Sequence, residues 1–222
     1  MNIQYTLLSD GASDQALLPI LSFVLREGGA ETVEPQWADL GRLLDPPQSL
    51  PERIRAAIDF YPCDLLFVHR DAERVAHEFR KAEIISALDT AGIDRASVCV
   101  VPVRMTEAWL LIDEAAIRAA AGRPRGRAPL NLPQLRRLEE QADPKASLHQ
   151  ALRDASELRG RRLRDFPVTQ RVRRVAELIG DFGGLRGLPA FQALEEDARV
   201  ALGQIDAGRP GAARNGNRPL AG

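Results

Sequence analysis

The chain is poor in cysteine and lysine. Cys63 and Cys99 are the two cysteines in 222 residues; each sits in an apolar, strand-like run, and no CxxC spacing occurs. That excludes a disulfide scaffold and a cysteine metal knuckle, and both side chains read as buried thiols. Lysine occurs twice, against 28 arginines. No apolar run approaches the roughly 20 residues that a membrane helix needs. The opening MNIQYTLLSD lacks the basic start and long apolar core of a signal peptide, so the expectation is a cytoplasmic protein with no membrane contact. A Walker loop, a GxGxxG after a strand, a GxSxG elbow and an HExxH helix are all missing, which removes the nucleotide folds and hydrolases those motifs build.

What is present is ordinary in bulk and uneven in detail. The 45% hydrophobic content suits one globular domain, or one domain with a smaller appendage. The net charge of -1 hides a split: residues 1–115 carry 10 basic and 19 acidic side chains, and residues 116–222 carry 20 and 12. An acidic half suits divalent cations and a basic half suits an anion such as nucleic acid. Attraction between the two halves inside the fold would account for the split equally well.

The pattern to residue 121 alternates strand and helix. IQYTLL reads as a first strand and QALLPILSFVLREGG as a helix, with Gly11 between them able to take positive φ in a tight turn. ETVEPQWADL reads as an edge strand because Pro35 interrupts it. Ser49 and Glu52 form a capping-box pattern at the head of a second helix. CDLLFVH is a third strand. It leads to a helix through Val75, Phe79, Ala82, Ile85 and Leu88, which fall on one side. ASVCVVPVR reads as a strand buried on both faces, and TEAWLLIDEAAIRAAAG is helical, with Asp113 placed to cap a second segment.

The expected fold is therefore α/β: a Rossmann-like parallel four-stranded sheet flanked by helices over residues 1–121. A basic Pro/Gly-rich loop follows at 122–134, then an α-helical extension at 135–203, in which Asp143 caps a helix that has Pro144 at its first position. The tail at 204–222 has little to bury and reads as disordered.

In an open α/β sheet, sites form beyond the carboxyl ends of the strands. There the chain places Asp10 and Asp14 after strand one, His69, Asp71 and Glu73 after strand three, and Arg104 and Glu107 after strand four. Carboxylates that close repel one another, and a bound cation relieves the repulsion. Mg²⁺ takes such oxygens together with water and substrate phosphate, which suits phosphodiester chemistry. Each residue also has a plainer reading. Asp71 fits the N-cap of the third helix, Asp10 a turn, and Asp14, Glu73 and Glu107 first-turn acids. His69 fits a hydrogen-bonded strand end. Arg123, Arg125 and Arg127 and the RGRRLR stretch at 159–164 fit phosphate contacts or a solvated surface.

The stretches SDGASDQALLPIL and LLFVHRDAE together resemble the Toprim domain of topoisomerases, primases and overcoming-lysogenization-defect nucleases. With RMTEAWLLID, ADPK and GLPAFQALEEDA, residues 1–203 are similar to an uncharacterised bacterial Toprim-related family. The resemblance implies metal-dependent phosphodiester hydrolysis of nucleic acid with Mg²⁺ or Mn²⁺, in defence against mobile DNA and beside an ATPase partner. It implies Asp10, Asp14, Asp71 and Glu107 as metal residues, and Asp71, His69 and Glu107 as catalytic ones. Arg104, Arg123, Arg125 and Arg127 would contact the nucleic acid. Two positions depart from the pattern: Asp10 stands for a Glu, and His69 stands where the first acid of Asp-x-Asp belongs. Imidazole is a poor ligand for Mg²⁺ and a good one for Mn²⁺ or Co²⁺. A non-catalytic interaction module and a small-molecule phosphate hydrolase are the alternatives.

Overall fold

A computed structural model describes residues 1–72, 75–102 and 106–208. Four strands, β1 (Asn2–Leu8), β2 (Thr32–Trp37), β3 (Leu65–His69) and β4 (Ser97–Val100), form one all-parallel sheet in the order β2-β1-β3-β4. This is the α/β sheet that the alternation implies. β2 is an edge strand, as Pro35 requires; that residue pairs with Tyr5 in register and its missing N–H costs the ladder little there. β3 lies between β1 and β4 and is buried along its whole length.

The two-residue period of the strands sorts side chains onto two faces. Ile3, Tyr5 and Leu7 of β1, Leu65 and Phe67 of β3, and Val98 and Val100 of β4 share one core with α1 (Leu17–Glu27). Leu8, Leu66 and Val68 lie in a second core with α2 (Leu50–Phe60) and α3 (His77–Ala91). The chain thus leaves β1 toward one face and leaves β3 toward the other. The carboxyl ends of these two neighbours therefore border the crevice where connections diverge. His69 has the parity of Leu65 and Phe67, so its ring points to the α1 face.

The remaining helices are α4 (Glu107–Leu110), α5 (Glu114–Ala120), α6 (Pro144–Ser156), α7 (Gly160–Arg164), α8 (Val168–Leu178) and α9 (Pro189–Gly208). The extension is not a separate body. Leu148, Val172, Val175 and Phe191 share the first core with the sheet and with Trp109 of α4. The local start signals hold. Ser49 and Glu52 make the reciprocal capping box, and Asp113 and Asp143 accept from Ala116 N at 2.9 Å and Ala146 N at 2.8 Å. Among the described residues no helix is long and apolar enough to cross a membrane.

Four expectations are corrected. In α3 the buried stripe is Ile84, Ala87 and Ala91, while Phe79 and Ile85 are exposed. This helix has two apolar stripes, and which of them faces the sheet is a tertiary choice that periodicity does not make. β4 is half-buried, with Val98 and Val100 inward and Cys99 only partly covered, because it has one strand neighbour. Gly11 is extended at φ -153°, so the turn needs no left-handed residue there. Finally, α9 runs to Gly208, past the boundary at 203. The rest of the tail, Glu73 and Arg104 lie outside the described residues.

Candidate functional site

The site is built around a buried imidazole. His69 is 2% exposed, and its Nδ1 lies 2.9 Å from the carbonyl oxygen of Val100, its register partner on β4. A carbonyl can only accept, so Nδ1 carries the proton and donates it. Nε2 then faces two carboxylates, Asp71 Oδ1 at 3.4 Å and Asp14 Oδ2 at 4.0 Å. Burial alone would lower the pKa of His69. The hydrogen bond and charge of Asp71, the charge of Asp14 and the Val100 carbonyl outweigh it, and the pKa rises above the ordinary 6.5. The site therefore favours an imidazolium held between two aspartates.

Asp71 does not cap α3. The N-cap of that helix is Ala76, five residues on, so the capping reading of Asp71 is removed. Its Oδ1 is buried, and among the described residues it has no well-formed hydrogen bond, only the 3.4 Å approach of His69 Nε2. Asp14 is fixed by the 3-10 turn at Ala12–Ala16, where its Oδ2 accepts from Gly11 N at 3.1 Å and its Oδ1 from Ser13 Oγ at 3.2 Å. Glu107 enters from the first position of α4. Burial pushes its carboxyl pKa up, and the charges of Asp71 and Asp14 push the same way. Its own N–H and Lys145, whose Nζ is 4.0 Å from Oε1, offset part of this.

That shift gives a testable sign. A carboxyl whose folded pKa is raised binds its proton more tightly in the folded state, so ionising it costs stability above the unfolded value of 4.5. Glu107→Gln is expected to raise the melting temperature at pH 7.5 by about 2–4 °C, the equivalent of ~1 kcal/mol in a chain of this size. Scanning calorimetry in a chelator would show the gap shrinking to nothing by about pH 4. A destabilised variant at pH 7.5 would contradict the electrostatic reading.

Asp10 is engaged by arginines. Its carboxylate is gripped by Arg53 Nη1 at 2.7 Å and Arg70 Nε at 3.3 Å, and Arg70 also reaches Glu83 at 2.7 Å. Arg123, Arg125 and Arg127 are exposed on the basic loop. Glu157, just past the end of α6, accepts the N–H groups of Arg127 and Ala128 at 2.7 and 3.1 Å and ties the loop there. Lys145 is at the opposite end of α6, so the loop attaches roughly 18 Å from the carboxylates along that helix.

Sequence reasoning missed the contribution of the extension. A cavity of about 290 Å³ adjoins Glu107 and is lined also by Lys145 and His149 of α6 and by Thr169, Gln170 and Arg173 of α8. The one local signal was the rarity of lysine. Among the described residues no group of three or more His, Cys, Asp and Glu side chains stands ready-made around a metal position. The donor chemistry still suits a divalent cation, with two aspartates, a repelled glutamate and a buried Asp71 oxygen that has no well-formed hydrogen bond among the described residues. No protein-family model, curated protein or solved structure matches the chain.

Proposed function

We propose that this chain is a Toprim-like protein that hydrolyses phosphodiester bonds in nucleic acid with a divalent cation. The observation that carries the reading is buried His69 with the partly exposed Asp71 and Asp14 on its Nε2, and Glu107 close enough to feel their charge, at the crevice between the carboxyl ends of β1 and β3. Structural charge pairs are usually closed by short hydrogen bonds, whereas the buried Asp71 Oδ1 has only the 3.4 Å approach of His69 Nε2 among the described residues. Asp71, Glu107 and Asp14 would hold Mg²⁺ or Mn²⁺, with the side chains re-aiming to do so. Bound there, the ion supplies an activated water and positive charge for the phosphate.

The protein's own groups have separable roles. Asp71 and Glu107 face the reacting phosphate. His69 is too buried to touch substrate and acts through Asp71 and Asp14 as a positioning residue, its Nδ1 anchored on β4 and its Nε2 holding the carboxylates. The exposed Arg123, Arg125 and Arg127 contact backbone phosphates and read no sequence. Asp10, matched by two arginines, shapes the rim. A role in defence against mobile DNA beside an ATPase partner belongs to the same reading through the Toprim resemblance.

The test is turnover of labelled single- and double-stranded oligonucleotides with Mg²⁺, Mn²⁺ and Co²⁺. The proposal expects cleavage with at least one metal and none in chelator. Turnover of small phosphate esters but no polymer would favour a small-molecule phosphate hydrolase, a reading that the small cavity beside Glu107 supports. No turnover, with no metal-induced change in melting temperature, would favour a non-catalytic interaction module.

A further inference from the structure

The cavity beside Glu107 has a composition that the carboxylate cluster does not explain. It lies where the extension docks on the rim of the sheet, with α6 and α8 facing the 3-10 turn after β1. Its charged lining is Lys145, Arg173 and Glu107. Arg173 is partly committed, with Nη1 donating to Gln15 Oε1 at 2.8 Å and Nε 3.2 Å from Glu177. Lys145 is less engaged. Among the described residues its ion-pair contact is Glu107 Oε1 at 4.0 Å, beyond hydrogen-bond reach, and half of its side chain is exposed.

The residue type is itself informative. Cations in this chain are arginine 28 times and lysine twice. The other lysine, Lys81, is used in a 2.7 Å ion pair with Asp197. An ammonium at 145 is compact and turns its three donors freely, whereas a guanidinium presents a wide planar fork. His149, one turn along α6, is held below its usual pKa by burial and by Arg153 and Lys145, so it offers a neutral imidazole. Thr169 and Gln170 add a hydroxyl and an amide, but most of the lining surface is apolar, and that low-dielectric wall strengthens the charges set in it. Cations and neutral donors beside one carboxyl, in a space at the lower end of ligand pockets, suit a single small oxyanion.

We propose that this cavity is a phosphate-binding subsite in which Lys145 is the principal contact and Arg173 a secondary one. It takes a phosphate group of the substrate next to the carboxylates, so the helical extension supplies half of the site. The inference deepens the hydrolytic reading but does not depend on it, because anion binding needs neither metal nor turnover.

Calorimetric titration of inorganic phosphate into the full, metal-free chain at constant ionic strength tests it. The expected result is one site per chain, weakened at least about tenfold by Lys145→Ala, the loss expected when a charged hydrogen bond is removed. Arg173→Ala weakens it less, and Arg199→Ala, outside the cavity lining, leaves it unchanged. Circular dichroism and a cooperative melt establish that each variant is folded. If Lys145→Ala loses its fold, Lys145→Met and protection of Lys145 from amine acetylation by phosphate take its place. No binding at 10 mM phosphate, a concentration giving about tenfold excess over a ~1 mM site, would overturn the proposal. So would equal affinity in the Lys145 variants. Phosphate binding without any nuclease activity would leave the subsite standing and sink the hydrolytic reading.

Discussion

Asp71→Asn is expected to lower metal-dependent hydrolysis by about 10²–10⁴-fold while leaving a folded, cooperatively melting protein. The substitution keeps shape and removes one charge. Asp71 caps no helix, and the asparagine side-chain oxygen can still accept from His69 Nε2, so the fold survives the substitution. The activity rests on the carboxylate fully in the proposed mechanism, because Asp71 is both a cation-holding group and the partner of His69 Nε2 at 3.4 Å. Asp10→Asn is the informative comparison. Its carboxylate is occupied by Arg53 and Arg70 at the surface, so turnover should change by no more than about threefold. Single-turnover rates at saturating metal for the two variants would separate the assignments. Equal losses in both would return Asp10 to the metal site, where the Toprim pattern puts it.

The second large effect is on stability. Trp109 is 1% exposed on the short helix α4 and meets Phe191 of α9 edge to face, with ring centroids 5.6 Å apart. It joins the sheet core to the extension two residues from Glu107. Trp109→Ala is expected to cost about 3–5 kcal/mol, through lost apolar burial and the cavity left behind. That is a large share of the roughly 5–15 kcal/mol that holds a domain folded. Urea unfolding should show a much lower midpoint with little change in slope. Trp109→Phe, which keeps an aromatic edge against Phe191, should lose less than half as much. A loss under about 1 kcal/mol in the alanine variant would mean that the extension docks without this contact.

The parts of the molecule legible in the sequence are those written locally. Pro35 marks an edge strand because a missing N–H is a property of one residue. Ser49–Glu52 and Asp143–Pro144 mark helix starts because caps act within four residues. The placement of His69, Asp71 and Glu107 at strand ends follows from alternation alone, since parallel strands deliver their carboxyl ends to one rim. Three features needed the tertiary arrangement. The choice between Asp10 and Asp14 depends on how one 3-10 turn aims its side chains and on arginines 43 and 60 residues downstream. The buried stripe of α3 depends on which of two apolar faces meets the sheet. Lys145, His149 and Arg173 reach the site from helices far along the chain, and no spacing within their own segments announces it.

The charge split now has a partial physical reading. Contacts between the halves exist, with Arg186 on Glu27 at 2.7 Å and Asp197 on Lys81 at 2.7 Å. The Arg123–Arg127 loop nonetheless faces solvent. Attraction within the fold thus uses some of the basic half and leaves a surface suited to a polyanion.

The central claim is that the rim between β1 and β3 takes a divalent cation on Asp71 and its neighbours. Titration of Mn²⁺ into the wild-type chain and into Asp71→Asn, followed by the loss of the free-ion electron paramagnetic resonance signal, tests it most directly. One or two ions bound per wild-type chain, with affinity about 10–100-fold weaker in the variant, is the predicted result. Absence of Mn²⁺ binding in the wild type, or identical binding in both chains, would contradict it.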